Sequence, residues 1–420
     1  MIRVFHPSVA PFVQQAALAF HEAGLLDRLV TTLVHRPNSH GQRALFRLAK
    51  LASYPLEARW KRRNDGGIPF SHIETHPTGE LLRLASGLID RDGRLTDRVW
   101  EWSETRFDRL VASGLPQGLR AVYGFEYSSL ATLTRARSLG IPCVYELPAP
   151  EPLFVQSILE REMQVLPELA TAYHAYTAER EDRRTARRRA EWAAADVRVC
   201  ASRFSRDSYA AAGLDTSKMI VIPYGAPETV EEGVAVSGGT RGLGPMVILW
   251  AGTFGMRKGA HYLLEAWRKG GFHRHACLRI FGRVELPRRL THPLPDGVEF
   301  GGSIPRSQLM LEYQRADLLV FPTLCDGFGL VATEAWSSGL PVLATPKAGA
   351  TDLLRDRENG LLIEAGSTDA LIQALQWSLD HRPELGAMRP AARATAAAWQ
   401  WSDYRRTLRE SVLSKLKGCS

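Results

Sequence analysis

The stretch Ala316–Thr345, "ADLLVFPTLCDGFGLVATEAWSSGLPVLAT", decides how this chain folds. Its opening run to Thr323 is short, continuously apolar and closed by proline, the pattern of a strand buried on both faces. The closing run "PVLAT" reads the same way. Between them Val331–Ser338 is predicted as a helix, with Gly339 just past its end. Strand, helix and strand without a hairpin turn make a βαβ unit, so the sheet is parallel. The loop of this unit carries Asp326, Gly327, Phe328 and Gly329, and Glu334 follows eight positions after Asp326. A loop that only redirects the chain needs neither carboxylate.

Outward from this unit the alternation recurs. Strands are predicted at "MVILWAG", "LRIFG", "GVEFGG" and "GLLIE", with helices over 259–269 and 306–315. Two helical stretches close the chain. The first half repeats the theme with strands at residues 2–6, 28–34 and 120–123, and at "PCVYEL", "DVRVC" and "KMIVIPYG". Helices are predicted over 12–21, 128–139, 152–192 and 203–212, and the long charged region before residue 120 reads as irregular. Residues 226–245, rich in Gly, Glu and Ser without apolar period, have linker character. The expected architecture is α/β: a Rossmann-like domain over 1–228, a linker over 229–244 and a second Rossmann-like domain over 245–402. The final helix, about 403–420, is free to pack back on the first domain. Two parallel sheets then face across a cleft, and ligands of such sheets sit beyond the carboxyl ends of the strands.

Bulk properties agree. A chain of 420 residues exceeds one ordinary domain, and 45% hydrophobic with 23% charged residues is a globular composition. No apolar run reaches the roughly 18–20 residues of a membrane span. The start "MIRVFHPSVAPF" lacks the long apolar core of a signal peptide, and five scattered cysteines without a Cys-x-x-Cys pair suit a reducing, cytoplasmic setting. Formal net charge is +8, and Arg43–Arg63 concentrates seven cations against the single anion Glu57. With Leu45 and Leu48 at helical spacing and Trp60 nearby, that segment suits an anionic membrane surface; a solvated helix packed on its own domain is the alternative. The arginine-rich run Ala178–Trp192 interleaves acids with bases, as in Glu179–Arg183, and reads as an exposed helix rather than a nucleic-acid interface. Asp90-Arg91-Asp92 reads as surface, and no metal site is expected.

The loops can hold a charged, hydroxylated ligand. Gly327-Phe328-Gly329 lies between a strand end and a helix start, where free amides and the helix dipole favour an anion. The second domain's first strand repeats this with "AGTFGMRKG": Gly252 and Gly255 open the loop, and Arg257 and Lys258 deliver two cations. Paired cations at facing loops suit a diphosphate. Asp326 and Glu334 repel phosphate but accept hydrogen bonds from sugar or ribose hydroxyls. A nucleotide sugar or sugar phosphate satisfies both. An oxidoreductase is disfavoured, since no Gly-x-Gly-x-x-Gly follows either domain's first strand.

On these residues the chain resembles the retaining glycosyltransferases of family 4, which have the GT-B fold and a Glu-x7-Glu motif. Here the motif is Asp-x7-Glu (Asp326 to Glu334), accompanied by "GTFGMRKG", "GLPVLAT" and "ENGLLIEAG". The resemblance covers most of Val197–Asp380. It implies transfer of a hexosyl group from a UDP- or GDP-linked sugar, serving as substrate, to a glycan or lipid-linked acceptor. It implies retention without a metal or other cofactor, in bacterial surface polysaccharide biosynthesis. By the same resemblance Lys258 and Arg257 hold the diphosphate, and Asp326 contacts the donor sugar. Phe328, Gly329 and Leu330 give backbone contacts, Glu334 takes the ribose, and Arg283, Ser303 and Ile304 lie near the base. The sequence departs from the family at Thr253, where arginine is usual, and at Asp326. Pro148 stands about where the family often has histidine, leaving Glu146 as the nearest polar candidate for the sugar face. A GT-B sugar-phosphate synthase or epimerase, or a catalytically impaired nucleotide-sugar-binding partner protein, are the competing readings.

Overall fold

The computed structural model describes residues 1–36, 39, 42, 43, 46, 47, 60, 63, 66–90, 92–229 and 244–418. The first domain holds a seven-stranded sheet in the order β3-β2-β1-β4-β5-β6-β7. Its strands are β1 (Ile2–Phe5), β2 (Leu26–Thr31), β3 (Ile73–Thr75), β4 (Ala121–Phe125), β5 (Cys143–Leu147), β6 (Val197–Cys200) and β7 (Met219–Val221). The second holds a six-stranded sheet, β10-β9-β8-β11-β12-β13. It is built from β8 (Met246–Ala251), β9 (Ala276–Phe281), β10 (Val298–Gly302), β11 (Leu318–Phe321), β12 (Val342–Ala344) and β13 (Gly360–Leu362). Every pairing is parallel. The fold is α/β with two Rossmann-like domains.

The strands form where continuous apolar runs bury both faces: β1, β4, β5, β6 and β11 have no exposed residue. Helices follow apolar stripes, as in Ala260–Gly270, which turns Leu263, Leu264 and Trp267 inward and stops at Gly271 in the left-handed region. The last helix, Trp401–Lys417, crosses back to the first domain, where Arg405 reaches Gln15 at 2.7 Å and Glu22 at 2.8 Å. Trp401 donates its amide to Ala226 where the chain leaves the first domain, and a Cβ on Gly225 would lie 2.3 Å from that nitrogen. Tyr224 joins the parts, with its ring 5.3 Å from Phe328 and 5.6 Å from Tyr404.

Three expectations are corrected. The region before residue 120 is not irregular: it contains β3 and the helices Thr78–Ile89 and Arg94–Ser113. Apolar periodicity does not reveal them because the first buries Gly79, Glu80 and Ser86 while Leu82, Leu88 and Ile89 face solvent. The arginine-rich helix Ala172–Ala194 is not a solvated one. Arg184 pairs with Asp97 at 2.5 Å, Arg187 with Asp108 at 2.6 Å and Arg189 with Glu151 at 2.9 Å, and Glu191 is fully buried. Within the basic segment Trp60 is not free to enter a bilayer, since it packs with Phe46 and Leu33 and donates its indole N–H to Val34. Leu45, Leu48, Lys50, Arg59, Lys61 and Arg62 lie outside the described residues, as do Arg91 and linker residues 230–243. No described helix is long and apolar enough to cross a membrane.

Candidate active site

The loops leaving β8, β9, β10 and β11 run side by side at the carboxyl edge of the second sheet. Gly252 donates its amide to Phe281 at 2.8 Å, Phe254 to Arg283 at 2.8 Å, and Gly282 to Gly302 at 2.9 Å. A Cβ on Gly282 would lie 1.9 Å from the Gly252 carbonyl, so this approach needs glycine. Gly252, Thr253, Gly255, Arg283 and Ser303-Ile304 therefore share one edge. Arg283 extends into solvent and pairs with Glu285. Ser303 is exposed, and Ile304 packs on the apolar core.

The two cations stand where this edge meets the quoted loop. Met256–Lys258 form a tight turn, and Gly259, at φ +75°, brings its backbone against the Pro322 carbonyl. The Arg257 carbonyl accepts from Leu324 at 3.0 Å, which ties the two loops together. The Lys258 ammonium contacts the Asp326 carboxylate and lies 5.1 Å over the Phe321 ring. Burial first, and then Arg257, pull the Lys258 pKa well below its ordinary value. The adjoining carboxylate acts in the opposite sense and favours the ammonium. Arg257 donates to the Cys325 carbonyl at 2.7 Å and lies 3.9 Å from Asp326. Lys258 and Arg257, expected to bind phosphate, thus meet Asp326, expected to bind hydroxyls, at one point.

Gly327 is one of the points where the domains touch. Its carbonyl accepts from Ser202 Oγ at 2.5 Å and Ser205 Oγ at 3.2 Å, and a Cβ on it would lie 2.1 Å from the Pro148 carbonyl. The Phe328 ring is core and its carbonyl accepts from Ala350 at 2.7 Å. Gly329, at φ +92°, opens the helix Leu330–Ser337, whose first turn has no side-chain cap. Glu334 is buried one turn into that helix. Tyr313 donates to it at 3.2 Å and Arg306 pairs with it at 3.0 Å. Burial raises the Glu334 pKa, against Arg306 and Tyr313.

Glu146 does not face a ligand. It is 1% exposed, and its two oxygens accept from Tyr123 at 2.6 Å and Tyr224 at 2.7 Å inside the first domain. Burial drives its pKa up to about 7. Its expected place near the sugar follows from proximity to a strand end, but a residue inside β5 points into the layer beneath. Glu126, immediately past β4, reaches the cleft instead.

That cleft, of about 590 Å³, lies between the domains. Of the predicted residues, Arg257, Asp326 and Gly327 line it. Its first-domain wall includes Phe12, Trp100, Glu126, Tyr127, Pro148, Leu159, Met163, Glu181 and Arg188, which sequence reasoning did not select beyond Pro148. Glu126 pairs with Arg188 at 2.9 Å, and burial lifts its pKa to about 7 against the pull of that guanidinium. Tyr127 takes a left-handed φ of 73°, unusual for an aromatic residue. It is held by its N–H to Glu191 at 2.7 Å, by Arg187 on its carbonyl at 2.8 Å and by Trp100 stacked 4.9 Å away.

Comparison with known proteins agrees with this geometry. Residues 245–381 match the family model described as "Glycosyl transferases group 1". A D-inositol 3-phosphate glycosyltransferase of Nocardia farcinica is 32% identical over 172 residues, which is 41% of this chain and 38% of that protein. A GDP-mannose-dependent alpha-(1-6)-phosphatidylinositol monomannoside mannosyltransferase of Mycobacterium tuberculosis is 28% identical over 145 residues, 32% of this chain and 37% of its own length. The matches therefore span under two-fifths of these relatives. Sucrose-phosphate synthase from Thermosynechococcus elongatus has a similar structure, with a TM-score of 0.66 and 18% identity over 100% of this chain and 99% of that one. The Anabaena protein Alr3699/HepE, solved with UDP-glucose, gives a TM-score of 0.57 at 17% identity over 98% of this chain and 99% of its own. The similarity to glycosyl transferases group 1 thus lies in the second domain, and the chain that carries it has the GT-B fold.

Proposed function

We propose that this protein is a retaining glycosyltransferase that moves a hexosyl group from a nucleoside diphosphate sugar to a glycan or lipid-linked acceptor. The observation that carries this reading is the contact of Lys258 with Asp326, beside Arg257, at the mouth of an interdomain cleft. An arriving diphosphate takes the place of Asp326 on the Lys258 ammonium. The released carboxylate then accepts from sugar hydroxyls. Chemistry breaks the bond from the anomeric carbon to the diphosphate oxygen and forms one to the acceptor oxygen on the same face. The acceptor proton passes to the leaving phosphate oxygen. The protein's part is positioning and stabilisation of the leaving charge by Lys258 and Arg257, a step that calls for no metal ion.

A relative named as GDP-mannose-dependent and a neighbour solved with UDP-glucose support testing both nucleotides. Surface polysaccharide synthesis is the setting that the family resemblance favours. Attachment to an anionic membrane through Arg43–Arg63 belongs to the same reading and would rest on charge, since Trp60 is buried. Calorimetry with UDP and GDP, followed by donor turnover assays, tests the proposal. Binding of neither nucleotide, with no hydrolysis of any nucleotide sugar, refutes it. Nucleotide binding without turnover in the presence of acceptors favours the impaired binding partner instead.

A further inference from the structure

The helix Thr78–Ile89, which follows β3 at the outer edge of the first sheet, is turned inside out. At about 100° per residue, Leu81, Leu82, Ala85, Leu88 and Ile89 share one stripe roughly 120° wide. All five are exposed, Leu82 at 49%, Leu88 at 59% and Ile89 at 75%. The opposite face carries the polar contacts. Gly79 lies against the helix Arg94–Ser113, where a Cβ on it would come 2.3 Å from the Ser103 hydroxyl. Glu80 is buried and pairs with Arg63 and Arg83. Turning the leucines inward would break both contacts and strand the Glu80 carboxylate, so the apolar stripe is held outward. Four large aliphatic side chains on one helix face are more than the scattered apolar exposure of an ordinary surface.

We propose that this stripe inserts into an anionic lipid surface, with the cations around it held at the headgroups. The inference rests on the transferase reading with a lipid-linked acceptor, and it names the face that meets the membrane. Charge selects the occupant. The basic segment with its exposed Arg43 and Arg47 sits against the same helix, through Arg63 on Glu80 and through Leu84 packed with Phe46 and Trp60. On the neighbouring helix Arg106 lies 5.6 Å over the exposed Trp102 ring, and it lines one cavity with Thr78 at the start of the inverted helix. The acids nearby are engaged: Glu80 by its two arginines, Asp90 by the amides of Gly93 and Thr96, and Asp92 by Arg94 at 3.5 Å. An aliphatic stripe bordered by arginine and tryptophan is the pattern of a helix lying in the membrane interface. Because Trp60 is buried, the basic segment supplies charge and the stripe supplies the apolar insertion. The helix starts beyond the carboxyl end of β3, the sheet edge from which Glu126 and Tyr127 enter the cleft after β4, so the stripe begins on the side of the domain that faces the cleft.

The experiment floats the full chain with phosphatidylcholine vesicles made with and without phosphatidylglycerol, while calorimetry with UDP and GDP reports on the transferase reading alone. The protein should bind the anionic vesicles and hardly the neutral ones. Raising ionic strength from about 0.1 M to 1 M should remove the screened part of that binding and leave a salt-resistant remainder. Leu88→Ser with Ile89→Ser should lower partitioning about ten-fold or more and abolish the remainder. Both residues are exposed, so thermal unfolding and nucleotide binding should stay as in the parent. Leu88→Met with Ile89→Met, which keeps the stripe apolar, should retain the remainder. Arg43→Ser with Arg47→Ser should weaken binding at low salt and spare it. The inference is overturned if the unaltered protein binds no vesicles, or binds neutral ones equally well. Binding that salt erases completely and that ignores the change at Leu88 and Ile89 overturns it too, leaving attachment to the basic segment alone. A dimer in solution that the same change dissolves would assign the stripe to a second copy of the chain and overturn it equally. Nucleotide binding that persists in any of these cases keeps the failure separate from failure of the transferase reading.

Discussion

Lys258→Ala is the substitution that most directly tests the site. Two effects must be separated. The first is loss of a cation facing charge that develops on the departing diphosphate. A preorganised donor of this kind contributes about 3 kcal/mol in the transition state, or roughly 100-fold in rate. The second is structural, because Asp326 is left without its partner. With both side chains more than four-fifths buried, at 18% and 16% exposure, the unpaired carboxylate should cost on the order of 2–4 kcal/mol of stability. The double variant Lys258→Ala with Asp326→Asn removes the stranded charge. It should recover most of the thermal stability without recovering the rate. Arg268→Ala is the control: that residue lies on the helix following the loop, and its guanidinium donates to the Leu290 carbonyl at 2.7 Å, away from the loop. Thermal unfolding and initial rates at saturating donor, with UDP affinity by calorimetry, give the three readouts. Lys258→Ala turning over within roughly three-fold of the parent would mean that Lys258 serves only to hold Asp326, and the diphosphate assignment would fall.

Glu334→Gln should weaken bare UDP or GDP by roughly ten-fold, and Asp326→Asn should leave bare nucleotide nearly unchanged while reducing affinity for the full donor. Calorimetry giving the opposite pattern exchanges the two roles. Gly327→Ala forces a methyl against the Pro148 carbonyl, so it should lower turnover about ten-fold or more by parting the domains, with nucleotide binding retained; unchanged turnover would show that this contact does not shape the working cleft. Glu146 holds its proton to about pH 7 in the folded state but loses it near pH 4.5 when unfolded. Stability should therefore fall as pH rises from about 4.5 to 7, by roughly 3 kcal/mol, and stay level above that. Glu146→Gln removes this dependence, so the variant's stability relative to the parent should climb across that window. A difference that stays flat with pH would place the Glu146 proton elsewhere.

The second domain was legible because its signals are local. "LLVF" and "MVILWA" bury both faces and read as strands without reference to any partner. The loops carry their chemistry within a few residues of a strand end, so Arg257, Lys258 and Asp326 could be placed together from order alone. What order could not give was their mutual contact. Lys258 and Asp326 are 68 positions apart and meet only because β8 and β11 are neighbours in the sheet. Glu146 was misplaced for a related reason. A carboxylate at a strand end has two faces to choose between, and the choice is made by Tyr123 and Tyr224, 23 and 78 positions away.

The first domain shows what such distant partners do to a reading based on composition. The segment that forms Arg94–Ser113 reads as irregular and Ala172–Ala194 as solvated because their charges are many and nearly balanced. In the fold they are balanced against each other, Arg184 with Asp97 and Arg187 with Asp108, so the charged faces are the buried ones. The same logic sets the acceptor wall. Arg188 on that wall is held by Glu126 and by Glu181, from two different elements, at 2.9 Å each. Exchanging both of those acids for neutral residues would free a guanidinium in the cleft while leaving the donor loops, which share no partner with it, as they are.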